Sequence, residues 1–185
     1  MKAGARALGV AESYDGTKST LAGAVVRADR VVDGFTFATC TVGGLDATGA
    51  IIDCWRRLDR DDVSYLLVAG IAPAWYNVVD LHRIAAVTDR PVLSVSFEES
   101  KGLTEPIKSA FDGEDADRRL EIYHDQPKRR RVNLDGEPAF IRAVGIDPTA
   151  SETVVRAFTP EGGRPEPLRI ARQAARAADT FRRDG

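Results

Sequence analysis

Three apolar runs joined by short turns occupy the start of the chain and constrain its fold most strongly. The runs are Arg6–Ser13, Ser19–Arg27 and Val31–Thr41, and the turns contain Asp15-Gly16 and Asp29-Arg30. Each run has the length of a strand, and the first is too short to form a stable helix alone. Because strands joined by such short turns pair antiparallel, we predict a three-stranded meander.

The pattern then changes to alternating helices and strands. Apolar residues at helical spacing follow Gly43-Gly44, and Asp46 stands at the position of an N-cap. The nearly continuous apolar run Val63–Gly70 predicts a strand that is buried on both faces. A helix over Val78–Thr88 and a strand over Pro91–Phe97 follow it. A strand, a helix and a second strand in this order predict a parallel crossover.

The rest of the chain predicts a mixed tail. Its segments are a helix over Leu103–Phe111, a charged stretch over Asp112–Arg131 without a clear pattern, a hairpin over Asn133–Val144 turning at Asp135-Gly136, a helix over Thr149–Phe158 capped by Ser151 or Thr149, and a last helix from Pro165 to about Arg182. The full order, β-β-β-α-β-α-β and then a mixed tail, is typical of a ribonuclease H-like α/β sheet with flanking helices. At 185 residues, we expect one domain.

Composition excludes several classes of protein. The formal net charge is −2, so the chain has no overall basic field of the kind that marks many nucleic-acid binders. Cys40 and Cys54 do not form a Cys-x-x-Cys pair, which argues against a zinc site and fits a reducing compartment. No apolar run has the length of a membrane span. We expect a cytoplasmic protein without membrane contact, and its oligomeric state stays open.

Four short motifs lie at the ends of predicted strands and at the start of the last helix: Gly9–Tyr14, Thr41–Thr48, Ala74–Asn77 and Arg164–Arg169. In these motifs the chain resembles an uncharacterised, mainly archaeal family, numbered ninety-nine among the domains of unknown function. That family is related to endonuclease V, and the most specific piece shared with endonuclease V is Pro-Glu-Pro-x-Arg-x-Ala, here Pro165–Ala171. The resemblance covers nearly the whole chain and implies an endonuclease V-like fold.

The resemblance also implies an activity, from which this sequence departs. Endonuclease V cuts nucleic acid near deoxyinosine or inosine, using magnesium held by acidic residues. The positions that match its catalytic residues carry no such group here; they are Ala11, Ala47, Ala69 and positions near Phe97 and Ile146. The resemblance therefore implies a degenerate active site and argues against inherited specificity for inosine.

Two acids stand one residue from the empty positions, Glu12 beside Ala11 and Asp46 beside Ala47. We predict that Glu12 and Asp46 are the catalytic acids and hold a magnesium ion, since Mg²⁺ accepts one or two carboxylates plus waters. Neighbouring residues of a strand point to opposite faces of the sheet, so Glu12 should face away from the side that Ala11 faces. Glu12 would therefore have to reach the site from a frayed strand end, or the strand register would have to be shifted by one residue. Glu98–Glu99 offer a third ligand. Each of these acids has an alternative role. Glu12 can pair with an Arg or bond loop amides, Asp46 can be the N-cap of the helix, and Glu98–Glu99 can lie in a solvated turn.

Aromatic and basic residues indicate a nucleic-acid surface. Trp75 and Asn77 follow the fourth strand, where a ring can stack on a base and an amide can read a base edge. The alternative is that Trp75 packs under the next helix. Arg169, Arg172 and Arg176 form a cationic stripe at i, i+3 and i+7 that can hold phosphates, or else a solvated face. The run Lys128-Arg129-Arg130-Arg131 is a second basic feature.

Together these features predict an endonuclease V-like protein that binds DNA or RNA at the edge formed by Glu12, Asp46, Trp75 and Asn77. If it is an enzyme, it is a magnesium-dependent phosphodiester hydrolase, that is, a nuclease. A non-catalytic adaptor that kept the scaffold is the alternative, and so is a small-molecule-binding protein with its site beneath Trp75 and Tyr76.

Overall fold

The computed structural model describes residues 4–159 and 163–184. Its strands are β1 (Arg6–Asp15), β2 (Lys18–Arg27), β3 (Val32–Thr41), β4 (Val63–Ala69), β5 (Val92–Ser96), β6 (Arg130–Leu134) and β7 (Glu137–Val144). Its helices are α1 (Ala47–Leu58), α2 (Pro73–Tyr76), α3 (Leu81–Thr88), α4 (Thr104–Ala110), α5 (Gly113–Asp125), α6 (Pro148–Ala157) and α7 (Glu166–Asp184). None of these helices is long and apolar enough to cross a membrane.

The strands form one mixed sheet in the order β3-β2-β1-β4-β5-β7-β6. The predicted meander is confirmed, because β1 pairs antiparallel with β2 and β2 with β3. The predicted crossover is also confirmed, because β4 is parallel to β1 and β5 is parallel to β4. The hairpin of β6 and β7 adds antiparallel to β5 and completes the sheet.

Helices cover both faces of this sheet. Leu8 and Val10 of β1 pack in the core beneath α1 and α3, which we call the α1 face. Ala11 packs with Ala171 of α7 on the other side, the α7 face. Since side chains alternate along a strand, Glu12 projects from the α1 face. This alternation decides which acids can reach the same site.

The Pro-Glu-Pro motif owes its position to a glycine on β1. A Cβ atom at Gly9 would lie 2.3 Å from the carbonyl carbon of Pro167, so only glycine lets α7 begin so close to the sheet. At the other end of α7, Thr20 Oγ1 donates a 3.1 Å hydrogen bond to Asp179, which is 2% exposed. The motif most specific to the resemblance therefore has a packing role here.

Two predictions about helices need correction. The charged stretch 112–131 contains α5, whose buried stripe is narrow and includes a charged residue, Arg119, at a core position. The cap of α6 is Asp147, which accepts a 2.9 Å hydrogen bond from Ala150 N, and neither Thr149 nor Ser151 fills that role. Pro148 takes the first helical position, because its missing N–H needs no partner there.

Candidate functional site

A cleft of about 280 Å³ opens on the α1 face, where β1, β4 and β5 end. Ligands of open α/β sheets bind outside the carboxyl ends of the strands, so this is the expected place for a site. The polar side chains that line it include Glu12, Ser94, Ser96, Tyr123, Arg129 and Arg142. The volume lies near the lower end for small-ligand pockets.

Strand register aims several of these side chains into the cleft. Val10 pairs with Val68, Val68 with Ser94, and Ser94 with Arg142. Paired residues share a face, so Ser94 and Arg142 project from the α1 face, as Glu12 does. Three strand spacings and two residues separate Glu12 from Arg142, roughly 15 Å between backbones. The cleft therefore has an acidic end at β1 and a basic end at β7.

Glu12 lies in the cleft without needing a frayed strand end. β1 continues to Asp15, and Glu12 pairs with Leu21 of β2. Ser19 Oγ donates a 3.0 Å hydrogen bond to Oε2, while no described residue donates to Oε1. The matched but empty position, Ala11, is buried against α7 on the other face. A half-buried carboxylate that lines the cleft, with one oxygen lacking a donor among the described residues, can accept a proton or a ligand.

Asp46 has a different environment. Its carboxylate accepts hydrogen bonds from Thr41 N (3.0 and 3.1 Å), Thr41 Oγ1 (2.9 Å) and Asn77 Nδ2 (2.7 Å). Burial disfavours its charged form, but the bonds from Asn77 and Thr41 outweigh burial, so the pKa of Asp46 lies below its ordinary value. The expected capping of α1 by this side chain is wrong, since Asp46 makes no cap hydrogen bond. Its carboxylate instead holds the turn after β3.

Asn77 supplies the missing cap and is not placed to read a base. Its side chain is fully buried, at 0% exposure. Oδ1 accepts from Ala47 N at 2.9 Å, and Nδ2 donates to Thr41 O at 2.8 Å and to Asp46. An asparagine amide has two donor hydrogens and one acceptor oxygen, and all are engaged here. The prediction that Asn77 contacts a base edge is corrected on this ground.

The short element α2, which precedes Asn77, is a left-handed turn. Ala74, Trp75 and Tyr76 have φ angles of 46°, 56° and 60°, and Asn77 N donates to Pro73 O at 3.0 Å. Left-handed backbone costs a non-glycine residue about 1–2 kcal/mol. Such strain persists only where the surroundings hold it, and it clusters at functional sites. Here the Asn77 side chain and a 2.8 Å bond from Gly43 N to Ala74 O hold the turn.

This turn presents Trp75 to solvent, with 49% of the residue exposed. Its ring centroid lies 5.0 Å from that of Phe111, and a Cβ atom at Gly43 would lie 2.9 Å from the ring. Arg119 stacks 3.7 Å from the Phe111 centroid and donates to the carbonyls of Gly43 and Gly44. Trp75 therefore does not pack under the next helix; it is supported on one side and open on the other.

The arginine stripe lies away from the cleft. Arg169, Arg172 and Arg176 belong to α7, which packs on the opposite face of the sheet from Glu12. Arg169 forms a two-point ion pair with Glu166, at 2.7 and 2.9 Å. The sheet thus separates this stripe from the cleft, and its binding of nucleic acid stays a prediction.

The predicted magnesium ligands lie on different elements, Glu12 on β1 and Asp46 directly before α1. Among residues 4–159 and 163–184, no group of three His, Cys, Asp or Glu side chains is placed to hold a metal. The Asp46 carboxylate bonds Thr41 on β3, which is two strands away from β1. The backbones of Thr41 and Glu12 are separated by two strand spacings and three residues, roughly 14 Å. Glu98 lines the rim of the cleft but is exposed. The acids present do not fit a multi-acid metal site, and magnesium stays a prediction.

Sequence reasoning missed four polar residues of the cleft: Ser94, Ser96, Tyr123 and Arg142. Arg142 is a single charged residue among apolar neighbours on β7 and gives no periodic signal. Ser94 and Ser96, in contrast, alternate with apolar residues along β5. That period of two indicates a polar face on a strand otherwise expected to be apolar. Of the basic run Lys128–Arg131, only Arg129 lines the cleft.

Known proteins show what this chain is similar to. Residues 3–179 match the family model described as Endonuclease dU. A UPF0215 protein of Pyrobaculum aerophilum is 35% identical over 179 residues, which is 94% of each chain. A protein of unknown function from Archaeoglobus fulgidus, seen in a crystal structure, is 28% identical and superposes with a TM-score of 0.84 over 94% of this chain and 98% of that chain.

A more distant structure shows the fold. Endonuclease V of Ciona intestinalis, in complex with a DNA that contains an inosine, superposes with a TM-score of 0.63 at 12% identity. The alignment covers 95% of this chain and 86% of that chain. This likeness confirms the predicted ribonuclease H-like, endonuclease V-like α/β sheet. By its match over nearly its whole length, the chain belongs to the Endonuclease dU family.

Proposed function

We propose that this protein binds DNA containing deoxyuridine and hydrolyses a phosphodiester bond near that nucleotide. The observation that carries the proposal is the Glu12 carboxylate, which lines the cleft at the carboxyl ends of β1, β4 and β5 and whose Oε1 has no hydrogen-bond donor among the described residues. The family description supplies the nucleotide, since dU is deoxyuridine. The Ciona endonuclease V bound to inosine-containing DNA supports a modified base in DNA as the target.

In this proposal Glu12 is the general base. Ser19 fixes Oε2, and Oε1 accepts a proton from a water molecule as the water oxygen attacks phosphorus. The bond between phosphorus and the leaving sugar oxygen breaks, and that oxygen takes a proton from solvent. A positioned base contributes about 10²–10⁴-fold to such a rate. No step is assigned to magnesium, because no group of three His, Cys, Asp or Glu side chains in the described part of the chain is placed to hold a metal.

Trp75 is the proposed contact with the bases. A half-exposed indole held in a strained turn can stack on a base next to the target, and such stacking is worth about 1–3 kcal/mol per base. Enzymes that act on one base commonly extrude it from the duplex into a pocket. A ring that fills the space left in the stack would favour that extrusion.

A second candidate is a DNA-binding protein that does not cut. The lack of a three-acid cluster among the described residues favours it, as do the empty positions Ala11, Ala47 and Ala69. For both candidates we propose a cytoplasmic location, which the free, buried Cys40 and Cys54 support because free thiols are typical of a reducing compartment.

A cleavage assay separates the candidates. Labelled single- and double-stranded DNA carrying one deoxyuridine, one deoxyinosine or only thymidine is incubated with the protein in Mg²⁺, Mn²⁺ or EDTA, and a gel shift is run on the same samples. We expect cutting near deoxyuridine that falls at least about 10²-fold in Glu12→Gln. Glu137→Gln, an exposed carboxylate on the β6–β7 hairpin, is the matched control. Binding without cutting supports the second candidate, and neither binding nor cutting overturns both.

A further inference from the structure

Two arginines at the basic end of the cleft are held in place by neutral groups. The Arg129 guanidinium stacks 3.8 Å from the Phe140 ring centroid and donates to Ser96 Oγ at 3.3 Å and to the Glu98 carbonyl. The Arg142 guanidinium donates to the Pro127 carbonyl and to Tyr123 Oη, the latter at 3.3 Å. Both side chains are therefore oriented before any ligand arrives.

The charges of these two arginines are only partly offset by nearby carboxylates. Both guanidinium groups donate to carbonyls and hydroxyls, and within the described residues neither forms an ion pair with a carboxylate. Burial, and after it the charge of Arg142, lowers the pKa of Arg129, while Tyr123, Glu98 and Glu99 act in the opposite sense, so the two cations repel each other. Holding like charges together is unfavourable unless an anion joins them.

Ser94 gives an independent sign of a ligand. It is only 4% exposed, lines the cleft and pairs directly with Arg142 across β5 and β7. No residue of the described chain forms a hydrogen bond with its hydroxyl. The Ser94 hydroxyl is not one of the fully buried side-chain atoms that lack a partner, so it reaches the cleft and can bond an oxygen of a ligand there.

We propose that Arg129, Arg142 and Ser94 form a binding site for a nucleotide phosphate. Guanidinium groups suit phosphate because they present parallel N–H donors, and the serine hydroxyl supplies one more. The inference rests on the proposed function and refines it. With the phosphate at the β7 end and Glu12 at the β1 end, the nucleotide lies across β4 and β5. The phosphate that the arginines hold is then not the one that is cut.

Calorimetric binding of small probes tests this site on the full chain in EDTA. The probes are dUMP, deoxyuridine and inorganic phosphate. We expect wild type to bind dUMP more tightly than deoxyuridine, and Arg142→Gln and Arg129→Gln each to bind dUMP about 10–100-fold more weakly. Arg131→Gln, an exposed neighbour on β6, is the matched control and should bind as wild type does.

Two further variants keep the test decisive if Arg142→Gln does not fold. Arg142→Lys keeps the charge but loses the parallel N–H donors of the guanidinium group, so its dUMP affinity should lie between those of wild type and Arg142→Gln. Ser94→Ala should weaken the binding of dUMP but not that of deoxyuridine. Equal affinity for dUMP and deoxyuridine in wild type, or no binding of either, overturns the site. Cutting that needs Glu12 but not Arg142 keeps the proposed function and removes this inference. If dUMP binds more tightly than deoxyuridine but no DNA is cut, this inference stands and the proposed cleavage is removed.

Discussion

Asn77 donates a 2.7 Å hydrogen bond to Asp46 and so joins a left-handed turn to the start of α1. The same amide accepts from Ala47 N and donates to Thr41 O, which ties the end of β3 to the other two segments. One buried side chain thus connects three pieces of backbone near the cleft. Its conformation also fixes where the neighbouring Trp75 lies.

Removing this amide should destabilise the whole domain. Asn77→Ala deletes the cap on α1 and leaves buried partners unsatisfied, and we expect the free energy of unfolding to fall by about 2–4 kcal/mol. Urea unfolding followed by circular dichroism measures the change. Gln173→Ala, at an exposed position of α7, should change stability by less than about 0.5 kcal/mol. An Asn77→Ala protein as stable as wild type would show that the network contributes nothing.

Asp46 should make stability depend on pH in acid. Its pKa is lowered in the folded state, so its ionised form stabilises the fold above the unfolded pKa of about 3.9. That contribution is lost as the pH falls through the folded pKa. The difference in unfolding free energy between wild type and Asp46→Asn should therefore be largest near pH 6 and shrink towards pH 3.

Urea midpoints at pH 6, 4 and 3 measure this difference. Subtracting the variant removes the effect of other acid-sensitive pairs, such as Asp33 with Arg6 and Arg60, which both proteins share. Gln173→Ala is the control without an ionisable group. A difference that stays constant from pH 6 to pH 3 would contradict the role assigned to the Asp46 carboxylate.

Local pattern was enough to predict the meander, the crossover and α1, because apolar periodicity in those segments follows the burial that the sheet imposes. α1 begins at Ala47 and ends at Leu58, where the spacing places it. α5 was missed because Arg119 occupies a core position and its neighbours are charged. Nothing in Ala74-Trp75-Tyr76 indicates positive φ angles. They are imposed by the bond from Gly43, which is distant in sequence, and by the Asn77 side chain, which bonds the equally distant Thr41, Asp46 and Ala47.

The site was predicted less well because pairs far apart in sequence build it. Glu12 could be identified as an acid at the end of a strand. Which face of the sheet it occupies depends on which side of β1 packs against α1, and local sequence does not show that. Asp46 looked like an N-cap because local spacing cannot show that Asn77, thirty residues away, fills that role. The pairing of Ser94 with Arg142 joins positions on β5 and β7 that no local motif connects.

The two cysteines should be unreactive in the folded protein. Burial raises the pKa of the Cys40 thiol to about 12, with a smaller effect from Asp46, and burial raises that of Cys54 to about 12 as well. At pH 8 only about one thiol in 10⁴ is then ionised, and the thiolate is the nucleophile. Mass spectrometry after iodoacetamide at pH 8 should show no adduct on the native protein and two after unfolding in urea. A native adduct on either residue would contradict this environment.

Replacing Trp75 by alanine and by glycine separates the contact of its ring with DNA from the strain of its left-handed backbone. Both variants lose the ring, so we expect both to bind deoxyuridine-containing DNA about 10-fold more weakly, or worse, in fluorescence anisotropy. Phe35→Ala is the matched control, because Phe35 is 50% exposed but lies on the edge strand β3, on the α7 face. Its DNA affinity should equal that of wild type.

The two Trp75 variants should nevertheless differ in stability. At a φ of 56° glycine avoids the strain that alanine retains, so Trp75→Gly should be more stable to urea than Trp75→Ala by about 1 kcal/mol. A stability difference together with equally weak binding indicates that the strain serves to present the ring. If Trp75→Gly is the less stable of the two, the turn is not strained. If both variants bind DNA as wild type does, the ring is not part of the interface, and the cleft must hold DNA without it.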